Sequence, residues 1–160
     1  MTLRASVHPK ALAGAAAVGC VLAAALAAPA SAAAACAPAQ LTVTVDNLHS
    51  ARGEVAVELY ADSEKGFLSK ETRIQRVRQK LDRAGAEVCL TPPGPGYYAL
   101  AVYHDENGDH RFNKNALGLP TEGFGLSNNP PLRLGKPTFR SVRFQFEGGT
   151  EVTVHMRYLL

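Results

Sequence analysis

Three things are scarce in this 160-residue sequence: net charge, cysteine and any catalytic signature. The formal charge is +3, and it drops by two, to +1, once the N-terminal Arg4 and Lys10 are set aside. A balance that small offers no electrostatic footprint for nucleic acid or for a membrane surface. Beyond residue 32 no apolar run approaches the ~20 residues that a membrane-spanning helix needs. None of the three cysteines sits in a C-x-x-C pair, and there is neither a P-loop nor a dinucleotide fingerprint. "GLSNN" around Ser127 lacks the second glycine of a nucleophile elbow. His49, His104, His110 and His155 are scattered and expected at the surface, and the spacing of His104 and His110 fits no zinc or copper pattern. The chain is therefore read as non-enzymatic.

What is present begins with an export signal. Arg4 and Lys10 precede or open an Ala/Leu/Val run over residues 11–28, and Ala30-Ser31-Ala32 has the small-x-small form of a cleavage site. Residues 1–32 are expected to be a cleaved secretory signal, which makes residues 33–160 one exported domain, periplasmic or secreted. A lipoprotein signal at Cys20 is the minor alternative: Ala17 stands where a large aliphatic belongs, and cleavage there would leave the apolar start "VLAAALAAP". In an oxidising compartment the two remaining cysteines, Cys36 and Cys89, are expected to form a disulfide, ahead of metal ligation or two free thiols.

Strand patterns dominate the rest. "LTVTVDNL" (residues 41–48) and "GEVAVELYA" (53–61) alternate apolar and polar positions, the period of two of a sheet with one buried face. "HSARG" between them has the length and the glycine of a hairpin connection. "AEVCL" and "GYYALAVYHD" are expected to form the next pair around the turn "TPPGPG". "FRSVRFQFE" and "TEVTVHMRYL" are expected to close the chain as a hairpin around Gly148 and Gly149. "ETRIQRVRQKLDR" (71–83) fits a helical stripe and an alternating strand; an exposed strand whose charges guard a sheet edge is favoured. About seven short strands with frequent Gly/Pro turns predict an all-β, antiparallel β-sandwich.

One irregular segment, residues 105–136, is longer than compact domains usually allow without a function. It opens with "DENGDHRFN", where Asp105, Asn107 and Asp109 have the D-x-N-x-D spacing of calcium loops, with the Arg111 carbonyl and the Asn113 side chain next in the series. The pattern departs from an EF-hand: Gly108 is fourth rather than sixth, and Ala116 stands where a bidentate glutamate belongs. Two readings stay open, a compact calcium loop of affinity ~10⁻⁴–10⁻³ M and an ion-free polar turn. Glu122, Phe124, Ser127 and Asn128 are expected on the same loop surface.

"GYYALAVYHDENGDHRFNKNALGLPTEGFGLSNNP" with "KPTFRSVRF" resembles the bacterial family called domain of unknown function 2141. The resemblance runs through Gly96, Tyr98, Ala99, His104, Asp105, Asn107 and Asp109, then through Gly118, Pro120, Glu122 to Gly125, Ser127 and Asn128. It implies an immunoglobulin- or transthyretin-like sandwich and brings no activity. Asn113 departs from it, standing where many members have aspartate. The overall reading is an exported binding or structural module with a calcium-stabilised loop. The alternative is a lipocalin-like or carbohydrate-binding sandwich using Tyr103, Phe112 and Phe124.

Overall fold

The computed structural model describes residues 35–131 and 137–159. The secretory-signal reading of residues 1–32, with its Cys20 alternative, lies outside the described residues, as do residues 132–136 of the long loop. The elements run β1 (Leu41–Asp46), β2 (Glu54–Ala61), β3 (Arg73–Lys80), β4 (Ala86–Leu90), β5 (Gly96–Asp105), β6 (Gly123–Leu126), α1 (Phe139–Val142), β7 (Phe144–Phe146) and β8 (Glu151–His155). They form a three-stranded sheet, β4-β1-β8, and a five-stranded sheet, β3-β2-β5-β6, with β7 paired to β5. Leu41, Val43 and Val45 of β1 pack with Val55, Val57 and Leu59 of β2 and with Leu100 and Val102 of β5 in one core. The all-β sandwich expected from the alternation is therefore the architecture observed. One pairing, β1 with β8, is parallel; the others are antiparallel.

The expected hairpins need correction. β1 and β2 belong to different sheets, so "HSARG" is a crossing between layers, and the same holds for β4 and β5 across "TPPGPG". The closing segment splits in three. Thr138 caps α1, its hydroxyl accepting the Ser141 N–H, while the Glu64 carboxylate takes the Phe139 and Arg140 N–H groups at 3.0 Å each. β7 then pairs with β5 and β8 with β1, the chain changing sheets at Gly148 and Gly149, whose φ angles are +84° and +63°. No local pattern distinguishes a turn that returns the chain to its own sheet from one that hands it to the other.

β3 is a strand, as favoured, with Arg76 opposite Glu58 and Arg78 opposite Ala56 on the outer face of the five-stranded sheet. Simple alternation understated the burial of β2. Glu54 and Glu58 are buried there, because Arg78 pairs with the first, and Arg73 and Arg76 with the second. Tyr60 and Ala99, on the same outer face, are covered by Phe67, Phe139 and Val142. At the opposite edge Phe124 and Arg157 exchange two backbone hydrogen bonds of 2.9 and 2.8 Å, joining β6 to the chain beyond β8.

Candidate functional site

β5 delivers Asp105 to the start of the loop with its side chain fully buried. Its Oδ1 accepts the N–H groups of Gly108 (2.7 Å) and Asp109 (3.2 Å), and its Oδ2 accepts that of His110 (2.7 Å). Positive φ at Gly108 (+70°) and His110 (+64°) curls the backbone around this carboxylate. Beyond it, Asn107 Oδ1 accepts the Asp109 N–H, Asp109 Oδ1 the Arg111 N–H, and Asn115 Oδ1 the Leu117 N–H. Each of these acceptors serves the donor two residues on, which is the geometry of an Asx turn. The alternate spacing thus has a local cause in addition to any ligand.

A long-range partner completes the cluster. β6 pairs with β5 so that Gly123 faces His104, which brings Glu122, just before β6, near Asp105 at the end of β5. Glu122 is 8% exposed. Its Oε2 accepts the Asn113 N–H at 3.0 Å, whereas Oε1 is buried with no hydrogen-bond partner. Asp105, Asp109 and Glu122 each bring a carboxylate oxygen to within 4.8 Å of the others. Burial pushes the Glu122 carboxyl above the usual carboxylate range; the Asn113 N–H opposes this, and the charges of Asp105, Asp109 and Glu106 add to it. Asp109 is exposed, and its carboxyl is held low by the Asn113 amide and then the Arg111 N–H. A buried carboxylate oxygen without a donor is costly, and a hard cation is one guest that three converging carboxylates suit.

Of the five expected ligands, Asp105 and Asp109 come together, and the third carboxylate is Glu122. Asn107 gives its oxygen to the Asp109 N–H, and Asn113 turns its amide NH₂ to Asp109 Oδ2 at 2.9 Å. Arg111 meets Asp109 through its N–H. Two residues expected on the loop surface are buried instead. Glu122 turns toward the carboxylates, and Ser127 is fully enclosed, its hydroxyl accepting the Leu100 N–H and donating to the Val142 carbonyl. Asn128 is exposed, and Phe124 is half-buried beneath Phe112, which also packs on Tyr103.

His104, expected at the surface, is fully buried. Its Nε2 lies 2.8 Å from the Arg52 carbonyl and donates to it, and Nδ1 shares a hydrogen bond of 2.6 Å with the Tyr158 hydroxyl, which in the neutral tautomer is the donor. Tyr158 in turn accepts the His49 N–H at 3.1 Å. Both ring nitrogens are thereby satisfied, and the histidine is a structural tie between β5, the β1–β2 crossing and the C-terminal segment. Cys36 and Cys89 form a disulfide with their Cα atoms 5.4 Å apart.

The family model described as "Uncharacterized protein conserved in bacteria (DUF2141)" matches residues 43–155, a span that holds the whole carboxylate cluster. No curated protein and no solved structure matches the chain.

Proposed function

The chain belongs to this family of uncharacterised bacterial proteins, and on that premise we propose that it is an exported, non-catalytic binding or structural module whose loop is locked by one calcium ion. The observation that carries the reading is that Glu122, whose carboxylate converges with those of Asp105 and Asp109, keeps a buried Oε1 with no hydrogen-bond partner. Calcium accepts six to eight oxygens in flexible geometry, and a loop offering carboxylates, amides and carbonyls in succession suits it better than the stricter octahedral magnesium. Asn107, Asn113 and the Arg111 carbonyl are the neighbouring oxygens that would fill the remaining positions. One calcium ion offsets two of the three clustered charges, and the Arg78 guanidinium 3.5 Å from Asp105 Oδ2 offsets part of the third, which relieves the repulsion that opposes the closed loop.

Export is supported by the charged start, apolar run and small-x-small site of residues 1–32. The Cys36–Cys89 bridge supports it too, since such bonds persist in oxidising compartments.

Thermal melts and calorimetric titration of the purified protein test the ion. Calcium should bind in the ~10⁻⁴–10⁻³ M range. At ten times the dissociation constant it should stabilise the fold by about 1.4 kcal/mol, a rise of several degrees in Tm. Superimposable melts in calcium and in chelator would end the proposal.

A further inference from the structure

A second candidate binding site lies on the outer face of the five-stranded sheet, and strand pairing alone lays out its floor. One row across the sheet reads Arg76, Glu58, Ala101 and Leu126; the next reads Arg78, Ala56, Tyr103 and Phe124, of which Tyr103 and Phe124 reach the recess. The face therefore grades from cationic at the β3 edge to apolar at β6. Leu68 and Ser141 stand along one side, Phe112 and Leu119 along the other, around a recess of about 1670 Å³.

The charge around this recess is one-sided. Among the described residues Lys70, Arg73, Arg76, Arg111, Lys114 and Arg157 line it against the single side-chain carboxylate of Glu58, in a chain whose formal charge is only +3. Two of these cations are fixed in place. Glu58 Oε1 accepts from Arg73 Nη1 at 3.0 Å and from Arg76 Nε at 2.6 Å, while Oε2 is taken by the Tyr60 hydroxyl. Two guanidinium groups thus share one carboxylate, which leaves a net positive charge on side chains only 20% and 29% exposed. Preorganised, weakly hydrated guanidinium groups suit a carboxylate or a phosphate ester. Beside them several of the large apolar side chains left exposed gather at the rim: Leu68 (36%), Phe112 (37%) and Leu119 (42%). Apolar exposure bordering a recess marks a binding surface rather than scattered surface residues.

We propose that this recess binds a small amphipathic anion, with its charged head at Arg73, Arg76 and Lys70 and its apolar chain across Ala101, Leu126 and Phe124 toward Leu119. The arginines and the floor are set by β-pairing, whereas Phe112, Lys114 and Leu119 belong to the loop of the calcium reading, so the head-group end of the site stands independently of the ion.

The test is calorimetric titration of the whole protein with four probes: dodecanoate below its micelle concentration, dodecyl maltoside, inorganic phosphate, and phosphatidylglycerol vesicles. Dodecanoate should bind saturably at one site. The neutral maltoside and the chain-free phosphate should each bind about tenfold more weakly or worse, since each lacks one half of the match. The vesicles should not bind, since Arg73 and Arg76 lie within the recess at only 20% and 29% exposure. Arg73→Gln with Arg76→Gln should weaken dodecanoate binding about tenfold or more. Because that pair also strips Glu58 of its partners, Lys70→Glu at the exposed rim gives a second variant that leaves the Glu58 contacts intact, and it should weaken binding several-fold. Absence of dodecanoate binding, equal affinity for the maltoside, binding to vesicles alone, or dodecanoate affinity unchanged in both variants would each overturn the proposal.

Discussion

The Asn113 N–H donates to Glu122 Oε2 at 3.0 Å, a contact that closes the long loop while leaving Glu122 Oε1 buried and unpartnered. Glu122→Gln separates the two consequences of that arrangement. The amide keeps an acceptor for Asn113, adds an NH₂ that can donate to Asp105 or Asp109, and removes one of three like charges. Without calcium the variant should be more stable by roughly 1–2 kcal/mol, the scale of satisfying one buried polar group. With calcium it should gain nothing. Urea melts in chelator and in calcium read both effects; a variant less stable than the parent in chelator would mean that the orphaned oxygen costs the fold nothing.

Asp105 acts through the backbone as well as through its charge. Three N–H groups, from Gly108, Asp109 and His110, converge on its two oxygens. Asp105→Asn keeps the shape but turns an NH₂ toward at least one of those donors. Hydrogen bonds to a charged acceptor are worth about 1.5–3 kcal/mol each, so a loss of roughly 2–3 kcal/mol is expected in chelator, and a larger one in calcium, where the variant also lacks a ligand for the ion. Amide exchange should speed up at residues 108–110 more than in the β2 core. Uniform exchange changes across the chain would show that the effect is not local to the loop.

The strands were legible because one face of each is buried. Leu41, Val43 and Val45 alternate with Thr42, Thr44 and Asp46, and only one register buries the first set. The pairing of those strands was not legible, since "HSARG" reads equally well as a hairpin turn and as a crossing between sheets. The site was half visible. Asp105 and Asp109 stand in an alternating run, whereas Glu122 reaches them only through the pairing of β6 with β5. The signal that could have found it is the four-residue strand Gly123–Leu126, too short to stand out from the loop around it. The burial of His104 was hidden for the same reason: its partners Arg52 and Tyr158 are remote in sequence.

The glycines of that short strand report what lies beneath it. A Cβ on Gly123 would come within 2.4 Å of the Tyr158 ring, and one on Gly125 within 2.5 Å of Val154 Cγ1. Tyr158 cannot easily yield, being stacked on His49 at 3.4 Å between ring centroids and hydrogen-bonded to His104. Gly123→Ala should therefore cost roughly 1–3 kcal/mol, the usual penalty for overpacking. It should also disturb Glu122 next door. Pairing it with Tyr158→Ala should recover part of that loss by opening the space, so a double-mutant cycle measured by urea unfolding should show favourable coupling; additive losses would mean that the clash is relieved elsewhere.

The disulfide tests a different link, the one between chain connectivity and stability. Cys36 and Cys89 are separated by 53 residues, and β1 is already paired with β4 in the register Thr42↔Cys89. The bond therefore adds the segment before β1 to a strand pair that the sheet already holds, and its main effect falls on the unfolded chain. Loop-closure entropy for a loop of this length gives an upper figure of about 4 kcal/mol. Replacing both cysteines by serine should leave the far-ultraviolet circular dichroism and any calcium affinity unchanged while lowering the urea midpoint. Because the bridge lies in the three-stranded sheet and the carboxylates lie on the five-stranded one, a loss of calcium binding on reduction would show that the two sheets are coupled through the core, and would refute the purely unfolded-state account of the bond.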